Sequence, residues 1–320
     1  MKKLFSLLLF TVLTAMPTRS ADPAEVAGKE LAKIPAGTIA MKTPDGWFFS
    51  RNEWEHLSKG PLAQGGIVKV SAAKRNADPL PALTKFHEDL KARGITLICV
   101  PVPPKSALVP VAGLQKGDAM KYLKPYYEEL RAKGLCVLDL SDVFLASGRD
   151  DLYCRTDAHW SPAGLALAAD ELAKKIELRG TAHFEAVPEK KTIAGDLAVS
   201  LDPANPERET VELQTVSGAI DEKSPVLLIG DSHTLVFSTG GDMLADNAGL
   251  AEALALRLGM GVDRIGVKGS AAGAVRITLF RKSVKDPAWL KNKKYVIYCF
   301  SCREFTESTS GWVTVPVMKK

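Results

Sequence analysis

The sequence predicts a doubly wound α/β domain on a five-stranded parallel sheet. Three observations lead there. Five short runs are continuously apolar and rich in β-branched or aliphatic residues, the mark of strands covered on both faces. Stretches with helical spacing lie between them. Strand and helix alternate along the chain, which sets successive strands parallel.

The five strand-like runs are residues 95–101, 135–139, 225–230, 262–266 and 295–300. Each is too short for a helix of ordinary length. The spacing of Leu80, Leu83, Phe86 and Leu90 predicts a helix over 79–93. Met120, Leu123, Tyr127 and Leu130 predict a second over 118–133, stopped by Gly134. Ser161 as N-cap and Pro162 at the first helical position open a third. Residues 250–258 and 271–282 read as two more. Residues 22–75 read as an irregular arm with an aromatic cluster at Trp47, Phe48 and Phe49, packed on the domain. Residues 183–224 are rich in Pro, Glu and Thr, and 208–216 alternate as a strand does, so they read as a small β-rich insertion. The expected division is an N-terminal arm over 21–75, a catalytic domain over 76–310 and a tail over 311–320.

Composition excludes several classes. Of 320 residues, 46% are apolar and 25% charged, the profile of a globular chain with a substantial core. Met1, Lys2 and Lys3 precede an apolar run from Leu4 to Met16, and Thr18 and Ser20 stand at the −3 and −1 positions of a cut before Ala21. This is the layout of a secretory signal peptide over residues 1–20. The run of roughly 13 residues is short of the ~20 needed to span a bilayer; an uncleaved N-terminal anchor is the alternative. Export implies a periplasmic protein. Without Lys2, Lys3 and Arg19 the 42 basic residues become 39 against 37 acidic, a net of +2, which gives no basic footprint for nucleic acid. Of five cysteines, Cys99, Cys136 and Cys299 sit in apolar runs and read as buried small hydrophobes. Cys299-x-x-Cys302 is half of a zinc or redox pattern and lacks a second half. Export makes a Cys154–Cys302 disulfide one option.

Two motifs carry chemistry. The run Leu227-Leu228-Ile229-Gly230-Asp231-Ser232-His233 ends a buried strand in Gly-Asp-Ser. In an open parallel sheet ligands sit beyond the carboxyl ends of the strands, so Ser232 is delivered to the active edge. The second motif is Asp157-Ala158-His159-Trp160, just before the Ser161–Pro162 helix start. A serine hydroxyl needs a base to take its proton, and the base works best with a carboxylate on its other nitrogen. His159 fits the first task and Asp157 the second. Both motifs are expected after strands of one sheet, hence on one edge. His233 is expected to point its side chain away from the serine. Lys105 follows a strand end and offers an ammonium to a ligand carboxylate or to solvent. Trp160 offers a sugar-stacking face, or packing that fixes His159.

These residues resemble the SGNH hydrolase superfamily, and more closely the AlgX/AlgJ family of alginate O-acetyltransferase-type proteins. The resemblance covers about residues 40–310. It rests on the Asp157-Ala158-His159-Trp160 and Gly230-Asp231-Ser232 pair in this order, with Asp45-Gly46-Trp47-Phe48-Phe49, Glu55-His56-Leu57, Val100-Pro101-Val102-Pro103-Pro104-Lys105, Gly195-Asp196-Leu197 and Arg303-Glu304. Ordinary SGNH enzymes place the serine first and Asp-x-x-His last; here the order is reversed. The resemblance therefore implies a three-layer α/β/α SGNH-hydrolase-like domain, circularly permuted, with a small inserted β-rich segment. It implies an oxyanion hole from the N–H groups of Ser232 and of Gly269, in the Gly269-Ser270 loop. Ser301-Cys302-Arg303 stands where an asparagine normally serves, and makes Arg303 a substrate-binding candidate beside Trp160 and Lys105, whose ligand carboxylate would be a uronate in this family. The implied activity is O-acetyl transfer to an exopolysaccharide through a Ser232 acyl-enzyme, with no metal or other cofactor. A membrane O-acyltransferase is the implied acetyl donor. A carbohydrate acetylesterase and an inactive polysaccharide-binding scaffold are the alternatives.

Overall fold

The computed structural model describes residues 21–269 and 272–319. The expected signal peptide over 1–20 and the expected loop residue Ser270 lie outside the described residues. In chain order the elements begin with helix α1 (Pro23–Ala32), a hairpin of β1 (Ala40–Lys42) and β2 (Phe48–Ser50), and α2 (Arg51–Ser58) and α3 (Gly66–Val70). Then come α4 (Pro79–Lys91), β3 (Thr96–Val102), α5 (Leu123–Ala132), β4 (Cys136–Val137), α6 (Ser141–Ala146) and α7 (Pro162–Lys175). The insertion follows as β5 (Val187–Ile193), α8 (Asp196–Leu201) and β6 (Glu209–Thr215). The chain closes with β7 (Val226–Gly230), α9 (Leu250–Leu258), β8 (Asp263–Gly266), α10 (Ala274–Lys285), α11 (Pro287–Lys291), β9 (Tyr295–Ser301) and α12 (Glu304–Glu307).

The main sheet has five strands in the order β4-β3-β9-β7-β8, all pairs parallel. Counting from the serine strand β7 and returning through the N-terminus turns this into 2-1-3-4-5, the flavodoxin-like doubly wound order. The permutation expected from motif order is thus visible in the sheet itself: the chain starts at the fourth strand of that order. Its switch point lies between β7 and β9, the two strands that lead into Ser232 and Arg303. Every residue of β7 is buried, as a central strand requires. Gly230 is dictated by this packing, because a Cβ there would lie 1.7 Å from the Cys299 carbonyl oxygen.

The arm departs from the irregular reading. Asp22 caps α1 by accepting from the Ala24 N–H at 2.9 Å, with Pro23 at the first turn. Ser50 caps α2 by accepting from the Glu53 N–H at 3.2 Å. These elements are short, and docking holds them. The Tyr122 hydroxyl and Lys121 ammonium both bond Asp22, and His56 Nδ1 lies 2.7 Å from the Thr306 hydroxyl. The 118–133 helix divides into a 3₁₀ turn over Asp118–Met120 and α5. Helix α10 starts three residues later than its periodicity suggests. All five cysteines are free, so the Cys154–Cys302 option is not taken; the Cys154 thiol donates to the Trp160 carbonyl at 3.6 Å. Among the described residues no helix is long and apolar enough to cross a membrane.

Candidate active site

Ser232 opens a 3₁₀ turn directly after β7. The Asp157–His159 loop follows α6 rather than a strand end, and runs into α7. Two clamps carry it to the sheet edge. Glu209 on β6 accepts from the Arg155 and Thr156 N–H groups at 2.9 and 2.7 Å. The buried Lys105 ammonium donates to the carbonyls of Phe48, Arg155 and Asp157 at 2.6, 3.1 and 3.0 Å.

The result is one hydrogen-bonded chain. His159 Nε2 lies 2.7 Å from Ser232 Oγ, across 73 positions of sequence. His159 Nδ1 lies 2.5 Å from Asp157 Oδ1, which also accepts the His159 backbone N–H at 2.9 Å. Asp157 Oδ2 accepts the Asp196 N–H at 2.8 Å. Burial alone would raise the Asp157 carboxyl; the imidazole beside it and these N–H donors outweigh burial and hold it well below the carboxylate range. Burial would lower His159, but Asp157 prevails and raises it above the ordinary 6.5. An ionised carboxylate behind a basic imidazole that faces a hydroxyl is the arrangement that activates a serine.

The oxyanion and substrate candidates fare unequally. The Ser232 N–H carries no hydrogen bond to another of the described residues. Gly269 takes a left-handed φ of +79° on a turn with open space beside its Cα. The Arg303 guanidinium makes no hydrogen bond or ion pair among the described residues and lines a cleft with Glu53, His56, His233 and Ser301. Lys105 lines that cleft too, but its donors are spent on backbone carbonyls, so its task is bracing the loop and not holding a uronate. Burial lowers its pKa to about 8. Trp160 is fully buried, edge-on to His233 with centroids 5.4 Å apart, and presents no face for a sugar. Lys105→Met is expected to strip the Phe48 and Asp157 carbonyls of this donor, while the Arg155 carbonyl keeps the Phe48 N–H at 3.1 Å, and to cost on the order of 2 to 3 kcal/mol. A thermal melt checks this, and an unchanged midpoint would contradict it.

Sequence reasoning missed a second buried pair. His233 does not turn away from the site; its ring lies edge-on to His159 with centroids 4.8 Å apart. Asp231 Oδ1 lies 3.1 Å from its Nδ1, and Asp231 Oδ2 accepts the Ser301 N–H at 2.7 Å, tying the serine turn to β9. Burial would raise Asp231, yet His233 and its N–H donors bring it to about 2. Burial lowers His233, with the charges of His159 and Arg303 adding to it. The Asp-x-His spacing is the same as in the Asp157–His159 loop and was a usable signal. Asp157, His159 and Asp196 also place ligand atoms within 4.8 Å of one another. Both ring nitrogens of His159 already face hydrogen-bond partners, so a metal ion there would have to displace one.

Comparison with known proteins adds an independent line. A family model described as ALGX, the SGNH hydrolase-like domain of acetyltransferase AlgX, matches residues 41–274. The chain is 27% identical over 174 residues to a "Probable alginate O-acetylase AlgJ" of Pseudomonas aeruginosa, covering 50% of this chain and 40% of that protein. It is 30% identical over 174 residues to a protein of the same description from Pseudomonas fluorescens, covering 46% and 44%. The chain thus spans less than half the length of the curated relatives it matches. Among solved structures it resembles the O-acetyltransferase domain of Pseudomonas putida AlgJ at a TM-score of 0.60 and 19% identity, over 84% of this chain and 92% of that one. Pseudomonas aeruginosa AlgX gives 0.54 and 18%, over 82% and 62%. At such identities the structural likeness speaks for the fold.

Proposed function

Since the chain belongs to the ALGX family, the SGNH hydrolase-like domain of acetyltransferase AlgX, we propose that it is an exported O-acetyltransferase that acetylates an exopolysaccharide through an acyl-enzyme on Ser232. The observation that carries this reading is the unbroken chain Ser232 Oγ–His159 Nε2 and His159 Nδ1–Asp157 Oδ1, at 2.7 and 2.5 Å. His159 takes the serine proton as Oγ bonds to the acetyl carbon, then returns it to the leaving oxygen of the donor. A sugar hydroxyl next gives its proton to His159 and attacks the acyl-enzyme, which frees Ser232. The N–H groups of Ser232 and Gly269 hold the oxyanion, and Arg303 meets the polysaccharide. In the periplasm the acetyl group reaches the protein from a membrane O-acyltransferase.

The test supplies an acetyl ester as donor and oligosaccharides as acceptors. Expected is an oligosaccharide heavier by one acetyl group, in a reaction lost with Ser232→Ala. Acetate release without transfer makes the protein a carbohydrate acetylesterase. Absence of all turnover makes it a polysaccharide-binding scaffold.

A further inference from the structure

We infer that Asp196 is a fourth member of the relay, a positioning residue that locks Asp157 and adds negative charge behind the base. The inference rests on the triad reading above. Its geometry is reciprocal: the Asp196 N–H donates to Asp157 Oδ2 at 2.8 Å, while Asp196 Oδ1 accepts the Ala158 N–H at 2.8 Å. Backbone and side chain of one residue thus grip side chain and backbone of the catalytic loop. The approach needs a glycine beside it, since a Cβ on Gly195 would lie 2.4 Å from the Thr156 carbonyl carbon and oxygen. The Thr156 carbonyl also accepts the Ala198 N–H at 3.0 Å, so the first turn of α8 is bonded along the loop. Leu197 and Ala198 are buried with Ala40 and Phe48, which anchors α8 on the β1–β2 hairpin.

Charge gives the grip a chemical consequence. The carboxylates facing His159 are Asp157, Asp196 and Asp231, each favouring the imidazolium. Against them His233 carries an imidazole held toward neutrality. The hairpin under α8 carries two charged side chains, Asp45 exposed in its turn and Lys42, which is paired with Glu207. Although Asp196 as a residue reaches solvent, burial of its carboxyl and then the Asp157 charge push it up to about 6. His159 is raised above 6.5, and the Asp196 carboxylate is among the charges that raise it. A negative charge there favours imidazolium and raises the base.

Asp196→Asn keeps an acceptor for the Ala158 N–H and removes the charge; Asp196→Ala removes both. With an acetyl ester over a pH series, Asp196→Asn is expected to move the acid limb of kcat/KM down by about half a unit or more. The plateau kcat should fall about threefold, as Brønsted behaviour of a weaker base requires, with KM unchanged. Asp196→Ala should fall further, and Asp196→Glu should recover part of the limb. An Asp196→Asn profile that superposes on the parent overturns the inference, as does a change confined to KM, which would make Asp196 a substrate contact. Ser232→Ala in the same assay keeps the two readings apart: activity that survives it removes the triad itself, whereas activity lost there beside an unmoved Asp196→Asn profile removes only the fourth member.

Discussion

Ser232→Ala is expected to lower kcat on an acetyl ester by about 10⁵- to 10⁶-fold, the cost of removing a triad nucleophile when the rest of the site stands. The size of the effect follows from the absence of a substitute at the reacting position. Oγ is the group that His159 Nε2 addresses, at 2.7 Å. Thr234 is on the same turn, but its hydroxyl donates to the Asp231 carbonyl at 2.7 Å and is buried. The residual rate is that of the oxyanion donors and binding alone. Folding should be nearly unaffected, since the substitution removes one partly exposed hydroxyl, with a cost near 1 kcal/mol or less. The paired measurement is kcat with a thermal melt: a collapsed rate at an unchanged midpoint is the expected outcome. A rate within tenfold of the parent would show that another group attacks.

Asp157→Asn is expected to cost about 10⁴-fold in kcat, because an amide N–H turned toward His159 Nδ1 selects the wrong tautomer. Here the carboxylate does more than orient a ring. Its Oδ1 accepts two bonds from His159 and its Oδ2 accepts the Asp196 N–H. An asparagine carries one acceptor oxygen, so one of these ends must be lost. The pH dependence gives a second readout with a definite sign. The Asp157 charge raises His159 above 6.5 against the effect of burial. The base must be neutral to accept the serine proton, so parent kcat/KM should climb with pH through that raised value. Without the charge the imidazole becomes less basic, and the residual activity of Asp157→Asn should show its acid limb at lower pH. A limb that stays in place would contradict the assignment of Asp157 as the charge behind the base.

The strands and the place of Ser232 were legible in the sequence for the same reason. A strand buried on both faces must be continuously apolar, and a parallel sheet puts its loops on one edge, so Gly230-Asp231-Ser232 reports a location as well as a composition. The Asp157–His159 loop was found through its residues rather than its place, since α6 separates it from β4. The contacts of Lys105 were not legible, whereas packing beside His159 was one of the two readings open for Trp160. A lysine after a strand end reads as a free cation, and only the folded chain shows three carbonyls converging on it from the β2 strand and the Asp157–His159 loop. Glu209 is equally hidden, and Asp196 stood out only within the matching Gly195-Asp196-Leu197 segment, because each acts on residues about forty to fifty-five positions away through backbone N–H groups that leave no mark on the sequence. The arm was misread as irregular because its helices are short and take their stability from docking.

The most direct test of the account is covalent. The protein is mixed briefly with an activated acetyl ester, quenched in acid, digested and weighed by mass spectrometry. The account predicts one acetyl group, on the peptide containing Ser232 and on that hydroxyl, absent when His159 is replaced by alanine. A fully active protein that never carries this group, or one that carries it on another side chain, would contradict it.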